Sequence, residues 1–245
     1  MEQATFWTLN LCLHAPSHAM LYLLNFYNPQ RNKRTAKAIA RGWPSFLVVI
    51  MQVSCHLTVC GQGLTIAYMT VSLHGGFPQV RAVLRCLNWS VVTIVGIFWQ
   101  VLLRVRLTRT GPSFPWTMFP RDEFPKSDKD AEWVVARLLA PSKTPLVAMF
   151  SLLQLQHTLM PLAPWLEQFL WPEPPTLSLA AELGLLLVYA ACWLVWAIGI
   201  CWHVRGAPPY PVLGAAYKEG AATWMPIYAG IIGSGCVCAC AAHYF

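Results

Sequence analysis

The residues of this 245-residue chain that can do chemistry sit in apolar surroundings. Gln154, Gln156, His157 and Thr158 fall within two helical turns of a long apolar run, and Glu167 follows ten residues after the histidine. A polar or ionisable group at membrane depth costs a few kcal/mol, so such a group usually faces a cavity or a partner and marks function. An imidazole there suits proton transfer. The alternative is packing alone, because a neutral imidazole donates once and accepts once and can simply tie two helices together. His14 and His18 are four apart and share a face, where they would line a polar cavity, ligate a cofactor or bond between helices. Cys236-x-Cys238-x-Cys240 has the outline of a metal motif. Alternate helical residues point about 200° apart, however, so only Cys236 and Cys240 share a face. We expect no metal there. All nine cysteines lie in or beside apolar segments, and an odd, scattered set is no disulfide framework.

The elements that must carry these groups follow from hydropathy. The chain is 56% hydrophobic and 11% charged, against about a quarter charged in a soluble domain. The expected fold is all-α, a polytopic membrane protein forming one six-transmembrane-helix bundle. The expected helices cover 6–27, 44–72, 80–103, 145–171, 177–204 and 222–243. The first is kinked at Pro16, and the second opens at Pro44 and is loosened by Gly61-Gln62-Gly63. A polar loop at 104–143 is proline-rich (Pro112, Pro115, Pro120, Pro125), and Ser127-Asp-Lys-Asp130 starts a short interfacial helix through Leu139. In the last helix Ala229-x-x-x-Gly233 suits close helix packing.

Charge sets the expected orientation. Fifteen of the seventeen Lys and Arg fall in the loops after helices 1, 3 and 5, and Arg81 and Arg85 are the other two. The positive-inside rule places loops 1, 3 and 5 on the cytosolic or matrix side. The net charge of +7 is therefore read as topology and contact with lipid head groups. Membrane lipids are the expected partners. Nucleic acid is not, since no soluble segment is long enough to build a basic face.

Two motifs carry a family resemblance. Trp202-His203-Val-Arg-Gly206-Ala-Pro-Pro-Tyr210-Pro211-Val-Leu213 resembles the His-Val-x-Gly-x-x-x-Tyr-Pro-x-Leu signature of the androgen-induced-gene (AIG-like) family. His157-Thr158 with Glu167 resembles that family's His-Thr helix. The resemblance implies six spans in an endomembrane or plasma membrane. It also implies hydrolysis of fatty-acid esters of hydroxy fatty acids, by a threonine near the start of helix 2 and the helix-4 histidine. His157 would be general base, then general acid. Aligned from Gln52, Ser45 takes the nucleophile position; aligned from Trp43, Leu47 does. Leu153 and Gln154 replace an expected Asn-His pair, and Cys86 replaces an acid after Arg85. Ser45 lies about 18 Å shallower than His157 on straight helices, whereas Thr58 matches its depth. Thr58 is the fallback nucleophile. Oxyanion donors would come from Tyr210, His203 or backbone N–H groups.

Three functions compete. The first is an intramembrane lipid-ester hydrolase with His157 and Ser45 as catalytic residues and no cofactor. The second is a non-catalytic accessory subunit of a larger membrane complex, for example in the mitochondrial inner membrane. The third is a b-type haem protein drawing axial ligands from His14, His18, His56, His157 and His203.

Overall fold

The computed structural model describes residues 2–27, 33–110, 157, 159–206, 209, 217 and 220–244, with backbone alone for 24, 25, 33, 34 and 99–110. Within them the chain is all-helical. α1 (Gln3–Tyr27) runs through Pro16 without interruption. α2 (Lys33–Ala40) is a short basic helix inside the expected first loop. Among the described residues, three helices are long and apolar enough to cross a membrane, at Pro78–Phe98, Leu179–Arg205 and Ala221–Tyr244, and a bent pair would make a fourth. The Pro-rich loop, the interfacial helix, Gln154, Gln156 and Thr158 lie outside the described residues.

The bent pair is the main departure from expectation. Instead of one helix over 44–72, α3 (Ser45–Ser54) and α4 (Leu57–His74) meet at 87°. The break falls at Cys55-His56, ahead of the glycines: Cys55 is the last helical turn and His56 turns extended (φ −88, ψ 128). Neither residue is a helix breaker. Side chains near and far along the sequence tie down the residues around the break. Trp196 Nε1 donates to Ser54 Oγ (3.1 Å), the Cys60 thiol to Ser54 O (3.2 Å), and buried Arg205 to Gln52 Oε1 (2.7 Å) and Cys55 Sγ (2.8 Å). Gly61 instead allows close packing, since a Cβ there would lie 3.3 Å from Val92 Cγ1.

α5 (Pro78–Thr110) is the central post, and it continues past the expected end of the third helix. More than half of its apolar span is buried, whereas the last two spans bury only 17% of theirs, as lipid-facing helices would. Buried Val91, Val92, Ile94 and Val95 of α5 are surrounded by α4, α6 (Met160–Leu170), α7 (Leu179–Leu194) and α9 (Ala221–Tyr244). α7 opens on Ser178, whose hydroxyl accepts from Ala181 N. It passes through a wide π-type segment at Val195–Cys201 and closes in α8 (Trp202–Arg205). Gly206 caps α8 in the left-handed region (φ +69). α9 packs through buried Gly235 and Ala239, where a Cβ on Gly235 would meet Ile94 Cδ1 at 2.7 Å. The expected pair, Ala229 and Gly233, is exposed, with nothing within 4 Å of a Cβ on Gly233. The small residues that pack are six positions further along the same helix.

Candidate functional site

The break places a hydroxyl against the histidine. Thr58, the second residue of α4, is 7% exposed, and its Oγ1 lies 3.0 Å from His157 Nε2. Two packing features bring His157 there. Gly96 of α5 lets the chain entering α6 approach closely: a Cβ would meet Pro161 Cβ at 2.7 Å and His157 O at 3.5 Å. Further along α6, Trp165 packs tilted against Trp89 (4.3 Å between centroids) and donates to Thr93 Oγ1 at 3.1 Å. His157 itself sits in a π-type turn just before α6. Such wide turns recur at functional sites, and the second one, Val195–Cys201, packs against α3 at the break.

Thr58 sits in the first turn of α4, where the positive end of the helix dipole lies. His56 O turns back to accept from Val59 N and Cys60 N. With Nε2 unprotonated, His157 accepts the Thr58 proton, and negative charge developing at or beside Oγ1 is favoured by the helix end. A small apolar pocket of ≈ 40 Å³ is lined by Leu57, the residue before Thr58, with Val91, Leu186 and Ile231; neither Thr58 nor His157 lines it.

The other sequence candidates are dispersed. Ser45 is the exposed first residue of α3 and provides no side-chain cap. Leu47 lies half-buried on the same helix. His14 is fully buried, and neither ring nitrogen has a hydrogen-bond partner among the described residues. His18 Nδ1 faces Gln62 Oε1 at 3.3 Å, and Gln62 in turn donates to Ser17 Oγ at 2.6 Å. His56 Nδ1 sits against Cys55 Sγ (3.5 Å), and His203 is exposed. Tyr210 lies outside the described residues. Cys236 and Cys240 flank buried Cys238, and among the described residues no three His, Cys, Asp or Glu are grouped to hold a metal.

Sequence reasoning assigned Glu167 no partner, and it anchors a second polar cluster at the far end of α4. Its Oε1 accepts from Trp7 Nε1 (2.6 Å) and Tyr68 OH (2.8 Å). In the following turn Glu173 accepts from Arg81 NH2 at 2.8 Å and Gln3 Nε2 at 3.1 Å. Partial burial opposes its charge, but Arg81 and Gln3 outweigh that and hold the carboxyl below the usual range. Arg205 was also missed as a positioning residue. The one available signal was a charge within an apolar motif, which in a membrane protein usually has a specific partner.

Compared with protein-family models, characterised proteins and solved structures, the chain matches none. The family resemblance therefore rests on the two motifs alone, and function must be argued from the site.

Proposed function

We propose that this chain is an intramembrane hydrolase of lipid esters in which Thr58 is the nucleophile and His157 the base. The observation that carries this reading is the 3.0 Å contact between Thr58 Oγ1 and His157 Nε2 at a helix start. Oγ1 attacks the ester carbonyl while its proton passes to Nε2. The tetrahedral intermediate collapses as the imidazolium returns that proton to the leaving alkoxide. Water, deprotonated by His157, then attacks the acyl-threonine; collapse returns the proton to Oγ1 and frees the acid. The positive end of the α4 dipole is the nearest source of oxyanion stabilisation. The apolar pocket at Leu57 gives the acyl chain a foothold. In this reading the full bundle has six spans, with loops 1, 3 and 5 on the cytosolic or matrix side. The substrate class is that implied by the family resemblance, esters of hydroxy fatty acids.

Fluorophosphonate labelling of the solubilised protein, with turnover of a hydroxy-fatty-acid ester, tests this. Thr58→Ala and His157→Ala should each lose labelling and turnover, Thr58→Ser should keep part of both, and Ser45→Ala should match wild type. Loss in Ser45→Ala with Thr58→Ala intact would refute the assignment. A folded wild type that neither labels nor turns over would favour the non-catalytic subunit.

A further inference from the structure

At the other end of α4, which rises about 21 Å from Thr58 to Ser72 at about 1.5 Å per residue, lies a pocket of ≈ 310 Å³. Its walls include Trp7, Ser72, Arg81, Arg85, Glu173 and Thr176. These two arginines are the ones that fall outside the basic loops. Arg81 is fixed from three sides: Nε donates to Ser72 Oγ (3.1 Å), NH2 to Glu173, and the guanidinium lies 5.2 Å over the Trp7 ring. NH2 of Arg85 holds Gln168 Oε1 and Glu173 O. Among the described residues, NH1 of Arg81 and both Nε and NH1 of Arg85 have no acceptor. A guanidinium has five donors and no acceptor, so charge-assisted donors remain unused on the pocket wall.

A second observation points the same way. Arg85 also borders an adjoining pocket of ≈ 20 Å³, lined by Ser90, whose fully buried Oγ has no partner among the described residues. That volume holds about one water. Glu182 lines this smaller pocket too, but its carboxylate is taken by His243 at 3.1 Å. In the larger pocket two guanidinium groups face one carboxylate, Glu173.

We propose that this pocket binds a phosphate-class oxyanion, held by Arg81 and Arg85 with the Ser72 and Thr176 hydroxyls. A tetrahedral oxyanion offers several acceptors to such a converging set. The source is a lipid head group or free phosphate. Exposed Phe77 on the pocket wall would accompany an acyl chain. The proposal stands apart from the hydrolase reading, since it uses neither Thr58 nor His157.

Native mass spectrometry of the full chain, titrated with short-chain phosphatidic acid and then challenged with inorganic phosphate, is the test. Wild type should retain one lipid saturably. Arg81→Gln and Arg85→Gln should each weaken retention about tenfold or more. Glu173→Gln should strengthen it, because the competing carboxylate is neutralised. Displacement by inorganic phosphate at comparable concentration assigns free phosphate; resistance to it assigns the lipid head group. No saturable retention by wild type, arginine variants that bind like wild type, or a Glu173→Gln variant that weakens alongside them would overturn the proposal.

Discussion

Gly96→Ala tests whether the position of His157 depends on one missing methyl group. The new Cβ would stand 2.7 Å from Pro161 Cβ and 2.8 Å from its Cγ, where ordinary carbon contacts need about 3.5–4.0 Å. A proline ring cannot rotate out of the way, so the start of α6 must move from α5 by about 1 Å. Added to a 3.0 Å contact, such a shift carries the Thr58–His157 pair beyond the range where a hydrogen bond is strong. Overpacking of this kind costs about 1–3 kcal/mol of stability, and misplacing a catalytic group by about 1 Å costs on the order of 100-fold in rate. Ester turnover, measured beside a detergent thermal melt, separates the two effects. The expected result is a melting point lowered modestly, with turnover reduced on the order of 100-fold in protein still folded at the assay temperature. Turnover within twofold of wild type would refute the reasoning, because it would mean the helices can separate here without disturbing the pair.

The remaining predictions concern packing and charge. Glu167→Ala orphans two buried donors, Trp7 Nε1 and Tyr68 OH, and should cost about 2–6 kcal/mol at about 1–3 kcal/mol each; Glu167→Gln, which keeps an acceptor, should cost clearly less in the same unfolding titration. Gly235→Leu should cost about 1–3 kcal/mol by overpacking α9 against Ile94 and Leu186, while Gly233→Leu should melt like wild type. Glu173 has a lowered pKa when folded, so its stabilisation is present above the ordinary value of 4.5 and is lost as pH falls through the folded value. Glu173→Gln should therefore flatten the melting curve's acid limb below about pH 4.5, the ordinary value, with little pH-dependent difference at neutrality.

Hydropathy made the helical class and the three apolar spans legible, because each is a local property of twenty or so consecutive residues. Depth matching alone put Thr58 level with His157, although the motif alignment pointed to Ser45. The helix break was not legible. Cys55 and His56 are ordinary helix residues, and what holds the chain bent are Trp196 and Arg205, more than a hundred positions away. The glycines misled for a related reason. Gly61-Gln62-Gly63 reads as a weak point by propensity, yet neighbouring side chains decide whether a glycine loosens a helix or receives one. Gly96 shows no signal at all, since its significance lies in a proline that meets it from another helix.

The bend between α3 and α4 also sets an order of events during synthesis. α3 spans ten residues, about 15 Å, half the thickness of a bilayer core. It cannot be left in the membrane as a helix in its own right. The groups that secure its end arrive late, since Gln52 and Arg205 are separated by 153 positions. At about 5–20 residues per second, the nascent chain carries an unsecured half-helix for roughly 8–30 s. During that interval Ser54, Cys55 and His56 must find water, lipid head groups or the insertion machinery. A chain stopped before residue 195 would keep its first apolar segments but would lack the clasp that turns α3 away from α4, so this corner matures only after residues 196 and 205 have been made.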